Sequence, residues 1–153
     1  MIFIVRHAHA GNRSGWNGPD HKRPISPKGI LQTKELTDYL VRKGATQIFT
    51  SPYLRCIQTV APLAHALNVH HIDLPELAEG ASPEGAAALV RTAQNGTVIC
   101  SHGDVLANLV GHLAAHGAPI DPKTQIEKAG IWRLSLDQDG RITKAKYRRP
   151  PQV

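Results

Sequence analysis

The run Ile2-Phe3-Ile4-Val5-Arg6-His7-Ala8 decides how the rest of this chain is read. Four consecutive apolar residues, mostly β-branched, suit a buried strand. The basic pair Arg6-His7 then falls where that strand should end. Two later segments repeat the arrangement. Ser51-Pro52-Tyr53-Leu54-Arg55 follows a β-rich run at 47–50, and Ser101-His102-Gly103 closes one at 97–101. Each places a basic side chain near the boundary between a strand and a helix. In open α/β sheets ligands bind beyond the carboxyl ends of the strands, where helix N-termini also point. Two arginines and two histidines on that edge predict a pocket for a phosphoryl group. Guanidinium offers a planar fork of donors to phosphate oxygens, and a neutral imidazole can attack phosphorus.

Outward from these runs, strands and helices alternate. Ser26-Pro27, Ser51-Pro52 and Ser82-Pro83 each read as an N-cap serine before a proline at the first helical position. After Ser26, Ile30, Leu36 and Leu40 recur near helical spacing, and Gly44 supplies a stop. After Ser51, Leu54, Ile57, Ala61 and Ala64 share a face. A fourth helix starts near Gly103, uses Leu106, Leu109, Val110 and Leu113, and ends before Gly117. Val69 to Ile72 is a further short strand candidate. Ile131 to Leu136 alternates and runs into Asp137-Gln138-Asp139-Gly140, a hairpin signal. The pattern predicts a three-layer α/β/α sandwich with a mostly parallel central sheet and helices on both faces. One or two late strands are expected antiparallel at an edge. With no repeat or linker, residues 1–153 read as one domain, carrying a basic tail at about 144–153 with Lys144, Lys146, Arg148 and Arg149.

Composition narrows the partners. A chain of 153 residues buries roughly two-thirds of its unfolded surface. No stretch is long and apolar enough to span a bilayer, and the N-terminal apolar run lacks the length and basic prefix of a signal peptide. Cys56 and Cys100 stand apart without CxxC spacing. They suggest a reduced cytoplasmic protein, with Cys100 as core packing. The net charge of +6 favours anionic ligands. Aromatic content of 5% and the lack of a base-stacking motif argue against a stable nucleic-acid complex. His7-Ala8-His9 and His70-His71 invite a zinc reading, but Ala10-Gly11 stand where an acidic ligand would follow. Neither metal nor cofactor is expected.

Arg6-His7-Ala8 after a first strand, Ser51-Pro52 with Arg55 and Thr59, and Ser101-His102-Gly103 together resemble the histidine phosphatase superfamily, the phosphoglycerate mutase-like group that includes small bacterial phosphohistidine phosphatases. Arg23-Pro24-Ile25-Ser26-Pro27-Lys28-Gly29 also resembles the way that family begins its first helix. The resemblance runs from residue 2 to about residue 113. It implies that His7 is the nucleophile that becomes phosphorylated. Arg6, Arg55 and His102 would hold the phosphoryl oxygens. Leu77-Ala78-Glu79 matches the family's Leu-x-Glu segment, which makes Glu79 the candidate acid, with Glu76 and Asp104 as competitors.

A narrower likeness covers Arg6 to Gly11, then Arg13, Trp16, Gly18, Asp20 and Arg23-Pro24. It resembles phosphatase domains fused to Nudix hydrolases in actinobacteria, which makes nucleoside di- or polyphosphates plausible substrates. Two arginines beside His7 would lower its pKa and keep it neutral. The long, glycine-rich loop 11–24 is the expected source of specificity. Arg13, Lys22 and Arg23 from that loop, with Gly103, are the predicted substrate-binding positions. The short interval between Arg55 and His102 leaves little room for the capping insertion of mutases and suits an open hydrolytic site. The expected activity is metal-independent hydrolysis of a phosphate monoester, phosphoanhydride or phosphohistidine. The expected partner is a phosphorylated small molecule, nucleotides included, or a phosphohistidine protein. A metal-dependent hydrolase and a non-catalytic phosphate-binding pseudoenzyme are the alternatives.

Overall fold

Ile2, Ile4 and Ile99 face one side of the sheet, and Phe3, Val5, Val98 and Cys100 face the other. That period-two alternation builds a separate core on each face of the sheet. The computed structural model describes residues 1–153. Six strands pair in the order β3-β2-β4-β1-β5-β6. They are β1 (Ile2–Arg6), β2 (Gln47–Thr50), β3 (Ile72–Asp73), β4 (Thr97–Ser101), β5 (Ile131–Leu136) and β6 (Ile142–Arg148). The first four are mutually parallel, whereas β5 runs antiparallel to β1 and β6 antiparallel to β5.

Four helices cover the sheet: α1 (Pro27–Arg42), α2 (Leu54–Leu67), α3 (Pro83–Thr92) and α4 (Gly103–Ala115). Leu36 and Leu40 of α1 join Cys56, Val60 and Leu63 of α2 on one face. Ala86 and Val90 of α3 join Leu106, Leu109 and Leu113 of α4 on the other. The result is the three-layer sandwich expected from the alternation. Each fully buried leucine in these layers contributes roughly 2 kcal/mol. No helix is long and apolar enough to cross a membrane.

Local signals were uneven guides to detail. Ser26 caps α1, its hydroxyl accepting from Gly29 N at 3.1 Å. Ile30, however, is 51% exposed. The buried stripe of α1 runs through Gly29, Gln32, Thr33, Leu36, Tyr39 and Leu40, one position away. Gly29 occupies that stripe because a Cβ there would stand 2.2 Å from the His9 carbonyl oxygen. Ser51 does not cap α2: that helix starts at Leu54 with Tyr53 as its N-cap residue. Ser82 precedes α3 as expected, although its side chain makes no cap hydrogen bond. The expected basic tail is corrected too. Residues up to Arg148 pair with β5, so Lys144 and Lys146 are strand residues, and only 149–153 continue past the sheet.

Candidate active site

Parallel pairing brings the carboxyl ends of β1, β4 and β2 side by side. Arg6 lies opposite Ser101, and Thr50 opposite Cys100. The ladder continues one step further, with His7 N donating to Ser101 O at 3.1 Å and Ser51 N to Cys100 O at 2.9 Å. His7 and His102 therefore emerge as neighbours, their rings edge to face with centroids 5.5 Å apart. Both are buried.

His7 is held in one tautomer. Its Nδ1 lies 2.8 Å from the Ala8 carbonyl oxygen. A carbonyl only accepts, so Nδ1 carries the proton and Nε2 keeps its lone pair. Thr59 fixes this arrangement from α2: its hydroxyl accepts from Ala8 N at 2.9 Å and donates to Arg55 O at 2.7 Å. The imidazole pKa falls from the ordinary 6.5 to about 3. Burial is the main cause; the bond to Ala8 opposes it, and His102, Arg55 and Arg6 add to it. The sequence reading credited the arginines, but desolvation leads because His7 is only 4% exposed.

Around His7, buried polar nitrogens lack partners. Arg6 Nε, Arg55 Nε and His102 Nδ1 are buried without a hydrogen-bond partner. Native interiors rarely leave such atoms unpaired, and here they belong to the residues that flank the proposed phosphate position. Each of these side chains is anchored by its other atoms. Arg6 Nη1 donates to Ile126 O at 2.8 Å. His102 Nε2 lies 2.8 Å from Ser51 Oγ, and that oxygen in turn accepts from Tyr53 N at 3.2 Å. Ser51 thus orients His102, a role hidden behind its apparent helix-cap pattern. Gly103 is needed for Arg6: a Cβ there would lie 2.8 Å from Arg6 Cζ.

Asp20 ties the loop at 11–24 to this centre. Arg55 donates through Nη1 to the Asp20 carbonyl at 2.9 Å and through Nη2 to Oδ2 at 3.0 Å. Oδ1 of Asp20 lies 3.1 Å from Arg23 Nε and 3.4 Å from Arg13 Nε. Burial alone would raise the Asp20 pKa, but the bonds from Arg23 and Arg55 prevail and hold it below the ordinary carboxylate value. Arg13 Nη2 reaches Glu79 Oε1 at 2.8 Å, and Arg55 Nη2 lies 3.5 Å from the same oxygen. Glu79 is bracketed by two bonds to the end of β4 and the start of α4. Ser101 Oγ donates to Leu77 O at 2.6 Å, and Gly80 N donates to Asp104 Oδ2 at 2.9 Å.

Not all predicted contact residues reach the cavity. Arg6, His7, Arg13, Arg55, Glu79 and Gly103 all line a cleft of about 630 Å³, and His102 sits beside His7. Lys22 is exposed in a 3-10 turn at Asp20–Lys22 and does not line the cleft. Arg23 borders it, yet its guanidinium is spent on Asp20 and on the Ala10 and Gly11 carbonyls. It braces the loop. Of the competing carboxylates, Asp104 lines the cleft and supports Gly80, whereas Glu76 is exposed and does not line it. No three His, Cys, Asp or Glu side chains converge to hold a metal, and His9 Nδ1 bonds Ser26 Oγ at 2.6 Å.

The cleft also contains residues that the sequence reading missed. Gln125, Ile126 and Lys128 arrive from the loop before β5. Because β5 runs antiparallel to β1, Ile131 pairs with Val5 near the carboxyl end of β1. Ala129 N then donates to the carbonyls of Arg6 and His7, strapping that loop to the site. A neutral imidazole, the buried Arg55 and half-buried Arg6 guanidinium groups and a nearby carboxylate form an arrangement compatible with phosphoryl transfer.

Comparison with known proteins agrees with this geometry. A family model described as the histidine phosphatase superfamily, branch 1, matches residues 2–85. An 8-oxo-(d)GTP phosphatase of Mycolicibacterium smegmatis is 33% identical over 98% of this chain, and the chain spans 48% of that protein's length. Among solved structures, the protein histidine phosphatase SixA complexed with tungstate superposes with a TM-score of 0.75 at 22% identity, covering 97% of this chain and 94% of that one. A mycobacterial glucosyl-3-phosphoglycerate phosphatase superposes with a TM-score of 0.71 at 16% identity, covering 95% of this chain and 96% of that one. At such identities the two superpositions establish the fold.

Proposed function

This chain belongs to the histidine phosphatase superfamily, and on that premise we propose that it is a metal-independent phosphatase working through a phosphohistidine on His7. The observation that carries the reading is the coincidence of a neutral, tautomer-locked His7 with unpaired buried nitrogens on Arg6, Arg55 and His102, the two arginine Nε atoms being donors. A phosphoryl group on His7 would supply the missing acceptors. Those donors act in a desolvated site, where they are worth more than in water.

The reaction runs in two displacements. His7 Nε2 attacks phosphorus as the bond to the leaving oxygen breaks, and Glu79 gives that oxygen a proton. Water then attacks the phosphohistidine, Glu79 takes its proton, and the P–N bond breaks to release phosphate and neutral His7. Glu79 is paired with Arg13 and Arg55. Substrate oxyanions compete for those guanidinium groups, and Glu79, released from them, takes a proton from solvent that it then hands to the leaving oxygen. The Arg13 side chain is 63% exposed, so solvent weakens its hold on Glu79.

For the substrate, the 33% identity to an 8-oxo-(d)GTP phosphatase supports a nucleoside phosphate, so that the scissile bond is a phosphoanhydride. Phosphate monoesters and phosphohistidine are the competing classes. The test is phosphate release from a panel of nucleoside di- and triphosphates, phosphohistidine peptide and p-nitrophenyl phosphate, in EDTA. Rapid quench with 32P-labelled substrate should trap label on the wild type and none on His7→Asn. Labelled His7→Asn, or activity abolished by EDTA, overturns the mechanism.

A further inference from the structure

Beside the reaction cleft lies a second, smaller cavity of about 270 Å³. Lys128 lines both. We propose that Lys28, Lys128 and Arg149 form an anion subsite, continuous with the reaction cleft through Lys128, that holds the non-reacting phosphates of a substrate carrying an oligophosphate chain. This deepens the phosphatase reading and rests on it.

The topology explains why these cations meet. Lys28 is the second residue of α1, the helix that follows β1. Lys128 comes from the loop strapped across the end of β1. Arg149 follows β6, whose Arg148 pairs with Ile131, so the chain leaves β6 at the edge where β1 also ends. His9 lines the second cavity as well, and two residues of extended chain place it at most about 7 Å from His7. Two or three linked phosphates span that order of distance.

The cations at this spot have no internal anionic partner; Lys28 and Arg149 are exposed and Lys128 is half-buried. Lys28, Lys128 and Arg149 enter no ion pair. Glu127 is the acidic residue in the lining and pairs with none of them. Lys28 stands in the first turn of a helix, where the macrodipole disfavours a cation. The Lys128 ammonium is pushed down by burial and then by Arg6, Arg23 and Arg55. His9 is depressed in the same way, by burial and then by Lys128 and Lys28. Like charges have been gathered around an open, polar cavity next to the phosphoryl position. A polyanion reaching out of the cleft relieves that repulsion, whereas an isolated phosphate on His7 does not reach it.

The experiment measures binding by calorimetry at fixed ionic strength, in the His7→Asn background so that nothing is hydrolysed. The ligands are inorganic phosphate, inorganic tripolyphosphate and GTP. Tripolyphosphate or GTP should bind more tightly than phosphate, and Lys28→Ala/Arg149→Ala should erase about tenfold of that preference. Affinity for phosphate should stay as it was. The tighter of the two oligophosphate ligands identifies whether the chain belongs to a nucleotide or to an inorganic polymer. An unchanged preference overturns the subsite, as does an equal loss in the double variant Arg91→Ala/Arg141→Ala, two exposed arginines at the opposite end of the sheet, which would reflect net charge alone. Failure of phosphate release by the wild type would instead count against the phosphatase reading, which these binding measurements do not depend on.

Discussion

His7 should make this fold acid-sensitive, and removing it should make the fold more tolerant. The imidazole is neutral when folded down to about pH 3, whereas in the unfolded chain it protonates near 6.5. A depressed histidine pKa carries no penalty above 6.5. As pH falls through the window from 6.5 to about 3, the unfolded state gains a proton that the folded state refuses. Each pH step inside that window costs up to 1.36 kcal/mol, so moving from pH 7 to pH 4 costs about 3 kcal/mol. His7→Asn removes the titration while keeping an amide donor for the Ala8 carbonyl. Asp20 and the other carboxylates remain in both proteins, so their contribution cancels in the comparison. With a urea slope of about 2 kcal/mol/M, the wild-type midpoint should fall about 1.5 M further than that of His7→Asn between pH 7 and pH 4. Equal shifts in the two proteins would show that His7 is not buried in its neutral form, and the proposed route to a nucleophile would fail with it.

Two further variants separate catalysis from support. Glu79→Gln should slow substrates with poor leaving groups about 10²–10⁴-fold and activated aryl phosphates much less; parallel pH–rate profiles on both classes check this, and equal slowing moves the acid to another residue. Gly103→Ala should lower kcat/KM about 10–100-fold by displacing the Arg6 guanidinium. Its melting temperature should change little, because the atom met at 2.8 Å belongs to the far end of a side chain rather than to the backbone; a large loss of stability would mean that the backbone had moved instead.

Much of the fold was legible because its signals are local. The apolar runs at 2–5, 47–50 and 97–101 became β1, β2 and β4, and Ser26-Pro27 marked the start of α1 through a cap bond that involves only its own first turn. The same local logic failed at Ser51, whose hydroxyl is used by His102, a partner distant in sequence. It also failed at Lys22 and Arg23. A 3-10 turn sends Lys22 outward and Arg23 back onto the Ala10 carbonyl, and nothing in the loop's composition distinguishes the two. Lys128 gave no signal of its own, since a lone lysine in a polar segment is ordinary, and Asp20 and Ser101 entered only as members of longer segments, without the contacts that the fold gives them.

By itself the sequence determined that basic residues stand at the ends of strands, because strand periodicity and the strand-to-helix change are written in neighbouring residues. It could also order the layers, since alternating β and α segments leave few ways to bury both faces of a sheet. Only the tertiary structure decided what those residues became. Parallel pairing of β1 with β4 set His7 against His102. Antiparallel pairing of β5 with β1 delivered Lys128 and Ile126 to the site. Burial, which depends on every layer at once, made His7 neutral. Desolvation and long-range pairing are properties of the assembled fold, and no window of sequence contains them.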